Sequence, residues 1–280
     1  MNDLKDIFNL KGKVVVITGA AGLLGWKHSE AVASFGGIPV LIDIDQERLE
    51  TLTKTLEEQY SVSPLSLIVD ITSEDQVSKS CKEVVQKLGK IDGLVLNAAH
   101  NPKIEMTEQK DFSRLENFSL ETWNQDIAVG LTGSYLCSKY YGQQISKNPN
   151  GGSIVTISSD LGLIAPDQGL YQREGISDDM QSVKPITYSI VKTGLIGLTR
   201  YLATYWIDKG VRSNAICPGG IENNQPEEFL NKISSRIPLA RMAKEGEYQG
   251  ILVWMLSDAS SYLNGAVIPI DGGRSEEHTS

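Results

Sequence analysis

Tyr188 and Lys192 stand four residues apart in I-T-Y-S-I-V-K, so a helix there projects a phenol and an ammonium from one face. The positive charge is expected to stabilise phenolate and to bring a tyrosine, ordinarily near a pKa of about 10, toward the range of a general acid or base. The spacing alone does not single out this pair. Ten tyrosines and 18 lysines in 280 residues give roughly 0.6 such pairs by chance. The chain has three, the others being Tyr135/Lys139 and Tyr205/Lys209. An amphipathic helix with a solvated lysine accounts for the other two, so context must choose.

That context is a series of strands and helices. Lys13 to Thr18 is a β-branched run suited to a parallel strand buried on both faces. Gly19-Ala-Ala-Gly22-Leu-Leu-Gly25 follows, then a helical stretch through Phe35. Strand, glycine turn and helix together let a pyrophosphate approach backbone amides at a helix start. A second strand, Pro39 to Asp43, ends in an acid at the place where a carboxylate accepts both hydroxyls of an adenosine ribose and repels a 2′-phosphate. NAD is therefore expected over NADP. Asp45 competes for that role, or caps the next helix.

Further strands are expected at Leu65 to Val69, closing on Asp70-Ile71; at Gly93 to Leu96, closing on Asn97-Ala98-Ala99; and at Gly152 to Ser159. Helical periodicity covers Leu120 to Ile145, interrupted by Gly130 and Gly133, and Ile186 to Lys209. Val211 to Cys217 and Gly265 to Ile270 supply the last strands, with the turn Pro218-Gly219-Gly220-Ile221 between them. This alternation predicts one α/β domain, residues 1–273, built on a doubly wound parallel sheet of about seven strands. Ligands belong at the carboxyl ends of its strands, where Ser159 falls.

Composition limits the partners. The chain is 40% hydrophobic and 22% charged with a net charge of −9, which argues against nucleic acid and anionic membranes. No apolar run approaches a membrane span, and the scattered cysteines Cys81, Cys137 and Cys217 favour reduced thiols in the cytoplasm. His28, His100 and His278 lie apart without metal-ligand spacing, so no metal site is expected.

The ordered set T-G-A-A-G-L-L-G, Asp43, Asp70, N-A-A, I-S-S, Y-S-I-V-K, P-G-G-I and I-D-G-G closely resembles the short-chain dehydrogenase/reductases over about residues 10–273, which implies a Rossmann-like fold. The resemblance selects Tyr188/Lys192, which follows the Ser-bearing strand and opens the next helix. It implies that Ser159 orients and polarises the substrate oxygen, that Tyr188 exchanges the proton, and that Lys192 holds the nicotinamide ribose and lowers the Tyr188 pKa. Gly19, Gly22, Leu24, Gly25, Asp43, Asp70, Ile71, Asn97, Ala98, Pro218, Gly219 and Ile221 would join Tyr188 and Lys192 in holding the cofactor, with the Ile221 backbone on the carboxamide. A homodimer or homotetramer acting on a small molecule is also implied.

Three departures stand out. Leu23 replaces the middle glycine of the single-domain pattern, giving a spacing commoner in extended members; only about 60 residues follow Pro218, too few for a substrate domain. Counting from Trp123, Gly130 stands where the family has a catalytic Asn. The family binds its relay water chiefly through that residue's carbonyl, which glycine retains, so Gly130→Asn is expected to be tolerated or mildly activating. Finally, some 16 extra residues separate Ser159 from Tyr188, and roughly Pro166 to Lys184 is expected to form a polar lid suited to sugar hydroxyls.

The insert, with A-V-G-L-T-G and K-P-I-T-Y-S, resembles oxidoreductases of flagellin modification and legionaminic-acid-type sugar biosynthesis. The expected activity is thus NAD-dependent hydride transfer to or from a secondary alcohol or ketone of a sugar-derived substrate. A 3-oxoacyl-carrier reductase and an inactive dinucleotide-binding regulator are the alternatives. Residues 274–280, Arg-Ser-Glu-Glu-His-Thr-Ser, match a translated sequencing adapter and are expected to be a non-native tail.

Overall fold

A computed structural model describes residues 6–100 and 113–276. Its seven strands are β1 (Val14–Thr18), β2 (Ile38–Asp43), β3 (Leu65–Ile68), β4 (Gly93–Leu96), β5 (Gly152–Ile157), β6 (Val211–Pro218) and β7 (Val267–Ile270). They form one parallel sheet in the order β3-β2-β1-β4-β5-β6-β7. The chain runs outward from β1 to β3, then crosses back to β4, so the strand order reverses between β1 and β4. Loops leave that point in opposite directions and open a crevice at the strand carboxyl ends.

Helices cover both faces. α1 (Leu23–Ser34) and the Gln249–Leu256 helix bury Ala31, Val32, Leu252 and Met255 against Val15, Ile17, Val95 and Val155. On the opposite face Val77, Cys81 and Val84 of α3 (Glu74–Leu88), Cys137 and Tyr141, and Leu202 pack on Val14, Val16, Leu94 and Ile154. Both faces of β1 are therefore apolar, which is why its sequence reads as a continuous run without alternation. All three cysteines are free and buried.

Residues 120–145 form one unbroken right-handed helix whose hydrogen bonding widens at Ala128–Gly133 and again at Ser138–Gly142. The expected interruption at Gly130 and Gly133 is thus a wide turn and not a break. The Ile186–Tyr205 helix stops four residues before the expected Lys209 and gives way to a short 3-10 turn, Ile207–Lys209. The Glu227–Ser234 helix, preceded by Pro226, was not marked out in the sequence.

Candidate functional site

The turn after β1 is held by backbone contacts. Gly19 adopts a φ of +64°, and a Cβ there would lie 2.8 Å from the Ala98 Cα. A Cβ on Gly25 would come within 2.0 Å of the Gly19 carbonyl oxygen, so α1 seats on the turn only with glycine at that position. Asn97 donates through Nδ2 to the Thr18 and Gly19 carbonyls at 3.0 and 3.1 Å, and Thr18 Oγ1 accepts from the Asn97 and Ala98 amides. The end of β4 thereby fixes the end of β1. At the start of α1 the cap is Gly22, which supplies no side-chain acceptor, and the amides of Leu23, Leu24 and Gly25 donate to nothing among the described residues. Three converging N–H groups beside side-chain-free glycines fit a pyrophosphate.

Asp43 ends β2 as expected, yet its carboxylate is largely engaged. Oδ2 accepts from the Ala21 amide at 2.9 Å, and Oδ1 from the Ile44 and Asp45 amides at 2.8 and 3.1 Å. A carboxylate offers about four acceptor positions, so about one remains for a ribose hydroxyl, where two were expected. Asp45 caps α2 (Gln46–Tyr60) by accepting from the Arg48 amide at 3.0 Å, which removes it as a rival. Asp70 closes its own turn on Thr72 at 2.9 and 2.7 Å. The Ile71 side chain is buried in the core beside Gly133.

Ser159 lies just beyond β5. Its hydroxyl donates to Asp160 Oδ1 at 2.8 Å and accepts from the Leu161 amide at 3.2 Å. Tyr188 and Lys192 share the face of the Ile186–Tyr205 helix turned toward it, and Ser158 Oγ donates to the Lys192 carbonyl at 2.7 Å, locking helix to strand. Lys192 is buried, donates to the Ile157 carbonyl at 2.9 Å, and lies 5.8 Å from the Tyr188 ring centre. Burial, with a contribution from Lys184, brings its pKa down to about 8. The expected lowering of the tyrosine is not what the polypeptide alone produces. Burial pushes the Tyr188 phenol up, the Ser159 hydroxyl opposes that, and Asp160 adds to it.

The other two Tyr-x-x-x-Lys pairs are surface features. Lys139 pairs with Glu74 at 2.6 Å, and Tyr205 stacks on Tyr201 while Lys209 pairs with Asp208 at 3.1 Å. Pro218 ends β6 and Gly219 follows it, where Tyr248 donates to the Gly219 carbonyl at 3.1 Å, and Ile221 bridges to Ala243. Among the described residues no acid, histidine and cysteine cluster could hold a metal, and no helix is long and apolar enough to cross a membrane.

Gly130 corrects the expectation that Asn would be accepted there. A Cβ at this buried position would lie 2.4 Å from Val191 Cγ1, and the β-branched valine has little freedom to turn aside. The Gly130 carbonyl is also engaged, accepting from Ser134 Oγ at 2.8 Å.

Residues near Tyr188 that sequence spacing did not indicate come mostly from the insert. Two short 3-10 turns, Gln168–Tyr171 and Asp178–Met180, shape it. Leu170 is buried against Ile233, Ile237 and Met242, while Gln181 ties the loop through the Arg173 amide and carbonyl and the Ile176 carbonyl. Tyr171 lies close enough to feel Asp160 and Tyr188, and its phenol is raised to about 12, chiefly by burial. Lys184 closes the insert with Nζ 3.6 Å above the centre of the Tyr188 ring. Its four-residue offset from Tyr188 was visible, but Pro185 hid it by ending helical periodicity. At the other end of the chain, Arg274 and Ser275 are buried and Arg274 Nη1 donates to Asp160 Oδ2 at 2.7 Å. Residues 277–280 lie outside the described residues.

Residues 13–171 match the family model for short chain dehydrogenase, and residues 176–275 match one described as enoyl-(acyl carrier protein) reductase. The chain belongs to the short-chain dehydrogenase/reductase family and is an oxidoreductase that acts on alcohols and ketones. It is 32% identical to an uncharacterized oxidoreductase of Thermotoga maritima, covering 95% of this chain and 98% of that one. An NADP-dependent mannitol dehydrogenase of Alternaria alternata is 31% identical, with 97% and 95% covered. The post-translational flagellin modification protein A of Campylobacter coli is 28% identical over 94% of this chain and 98% of that one, consistent with the narrower resemblance. Among solved structures, NAD+-bound xylitol dehydrogenase superposes with a TM-score of 0.79 at 25% identity, covering 94% of this chain and 99% of that one.

Proposed function

We propose that this chain transfers a hydride between NAD and a secondary alcohol or ketone on a polar, sugar-derived substrate, with Ser159, Tyr188 and Lys192 as its catalytic residues. The observation that carries the proposal is their convergence at one end of β5, beside a glycine turn whose free amides suit a dinucleotide. A bound nicotinamide supplies or accepts the hydride. Tyr188, held protonated by burial, is poised to give its proton to an oxygen gaining negative charge, which suits the reducing direction. Ser159 orients that oxygen. Lys192, charged below about pH 8, stabilises the phenolate left behind and bonds the nicotinamide ribose.

NAD is preferred because Asp43 places a fixed carboxylate where NADP carries a phosphate. The same reading has the insert, roughly Pro166 to Lys184, cover the substrate, and Gly19, Gly22, Leu24, Gly25, Asp70, Ile71, Asn97, Ala98, Pro218, Gly219 and Ile221 complete the cofactor site. It includes a cytoplasmic homodimer or homotetramer, for which exposed Tyr135, Tyr201 and Tyr205 supply apolar surface. The test is nicotinamide absorbance with NAD(H) and NADP(H) across polyols, sugar acids, sugar nucleotides and 3-oxoacyl thioesters. Turnover of a sugar derivative is expected; turnover confined to the thioesters would overturn the substrate class.

A further inference from the structure

Lys184 is held in the site by its backbone. Its amide donates to Gln168 Oε1 at 2.8 Å, the preceding Val183 amide donates to Ser113 Oγ at 2.9 Å, and Pro185 fixes the next residue as the start of the catalytic helix. The side chain lies across the face of Tyr188, with Nζ 3.6 Å from the ring centre. Among the described residues this ammonium makes no hydrogen bond and no ion pair. Asp160, the acid near it, is already engaged: Oδ1 accepts from Ser159 and Leu161, and Oδ2 accepts from Arg274.

Two ammonium groups thus lie close to one phenol, and among the described residues no free anion balances them. Burial brings both lysines down to about 8, which still leaves them charged at neutral pH. An unpaired, poorly solvated charge is costly, and contact with a ring face offsets only part of that cost. Lys192 already donates to the Ile157 carbonyl. Lys184 lies over the ring whose hydroxyl must meet the substrate oxygen.

Building on the dehydrogenase reading, we propose that Lys184 seats a carboxylate of the substrate beside the reacting carbon, so that the preferred substrate is a sugar-type hydroxy acid or keto acid and not a neutral polyol. A single ammonium with three donors matches one carboxylate. A phosphate dianion would call on further cations, and Arg274 is tied to Asp160.

The experiment compares matched aldonate and alditol pairs, such as D-gluconate and D-sorbitol, with sorbitol 6-phosphate as a third arm, for the full chain and for Lys184→Met and Lys184→Arg. Melting temperature and dinucleotide affinity check that each variant is folded. The ratio of kcat/KM for acid over alditol is expected to exceed about tenfold, to fall by about tenfold or more in Lys184→Met, and to recover in Lys184→Arg. Taking the ratio cancels any effect of Lys184 on Tyr188 itself. A ratio near one in the unmodified chain, an unchanged ratio in Lys184→Met, or a preference for the phosphate would each overturn the proposal. If no compound is turned over with either dinucleotide, the dehydrogenase reading fails separately. Calorimetric binding of the aldonate to dinucleotide-loaded protein then decides for Lys184: a dissociation constant about tenfold weaker in Lys184→Met supports it, and no binding overturns it.

Discussion

The cofactor side and the substrate side of the site lie at the same edge of one sheet but are built from different materials. Around β1, α1 and β4 the contacts are backbone to backbone, or side chain to backbone as with Asn97 and Asp43, and glycines leave no slack. Around Tyr188 the contacts are made by long side chains delivered from distant segments, with Gln168 and Lys184 coming from the insert, Asp160 from beyond β5 and Arg274 from the end of the chain. A backbone cradle tolerates few sequences and binds one common group. A side-chain wall can change its chemistry one residue at a time while the scaffold stays fixed.

The sharpest way to break the first half is Gly25→Ala. The new Cβ would meet the Gly19 carbonyl oxygen at 2.0 Å and the Ala20 Cα at 2.8 Å, so strand and helix must part. A loss of about 3 kcal/mol in denaturant unfolding and of about 100-fold or more in dinucleotide affinity is expected. Unimpaired dinucleotide binding would show that the turn has more slack than its geometry allows.

The two halves also titrate at opposite ends of the pH scale. His28 of α1 is buried with neither ring nitrogen hydrogen-bonded, and burial lowers its pKa to about 4. Between that value and the ordinary 6.5 the unfolded chain binds the proton that the folded chain refuses, so stability falls as pH drops through this window, by roughly 3 kcal/mol in all. His28→Leu should flatten that acid limb in thermal melts at a series of pH values. The lowered lysines Lys184 and Lys192 on the substrate side act with the same sign at higher pH. The unfolded chain holds their protons above about pH 8, so their contribution to stability improves as pH rises from there toward 10.5.

Gly130→Ala places a methyl group 2.4 Å from Val191 Cγ1 and should cost about 1–3 kcal/mol, most of it recovered in the double variant with Val191→Ala. Additive losses would mean that the two sites do not touch. The smallest effect is expected of Asp43→Ala, which frees three amides and should reduce the preference for NAD over NADP several-fold in binding titrations. Equal affinity of the unmodified chain for the two dinucleotides would remove the basis for that preference.

This contrast also explains what could be read in advance. β1, the glycine turn and the Asp43 position were legible because buried parallel strands and tight turns restrict residue type over consecutive positions. The order of motifs did the same for Ser159, Tyr188 and Lys192. Lys184 was expected only as one polar residue of the lid, and its place over the Tyr188 ring was not legible, since that depends on Gln168 and Ser113, far away in sequence. Val191 was likewise hidden as the neighbour that forbids a side chain at Gly130, because that contact exists only once two helices pack. The direction of the Tyr188 shift was misjudged for a related reason: spacing reveals a nearby lysine but not how completely the phenol is buried.

The most direct test of the central claim is Tyr188→Phe, followed by nicotinamide absorbance on the substrate found in the screen and by dinucleotide fluorescence. If the phenol moves the proton, kcat falls by about 1000-fold while dinucleotide affinity stays within about twofold. Turnover close to that of the unmodified chain would contradict the assignment.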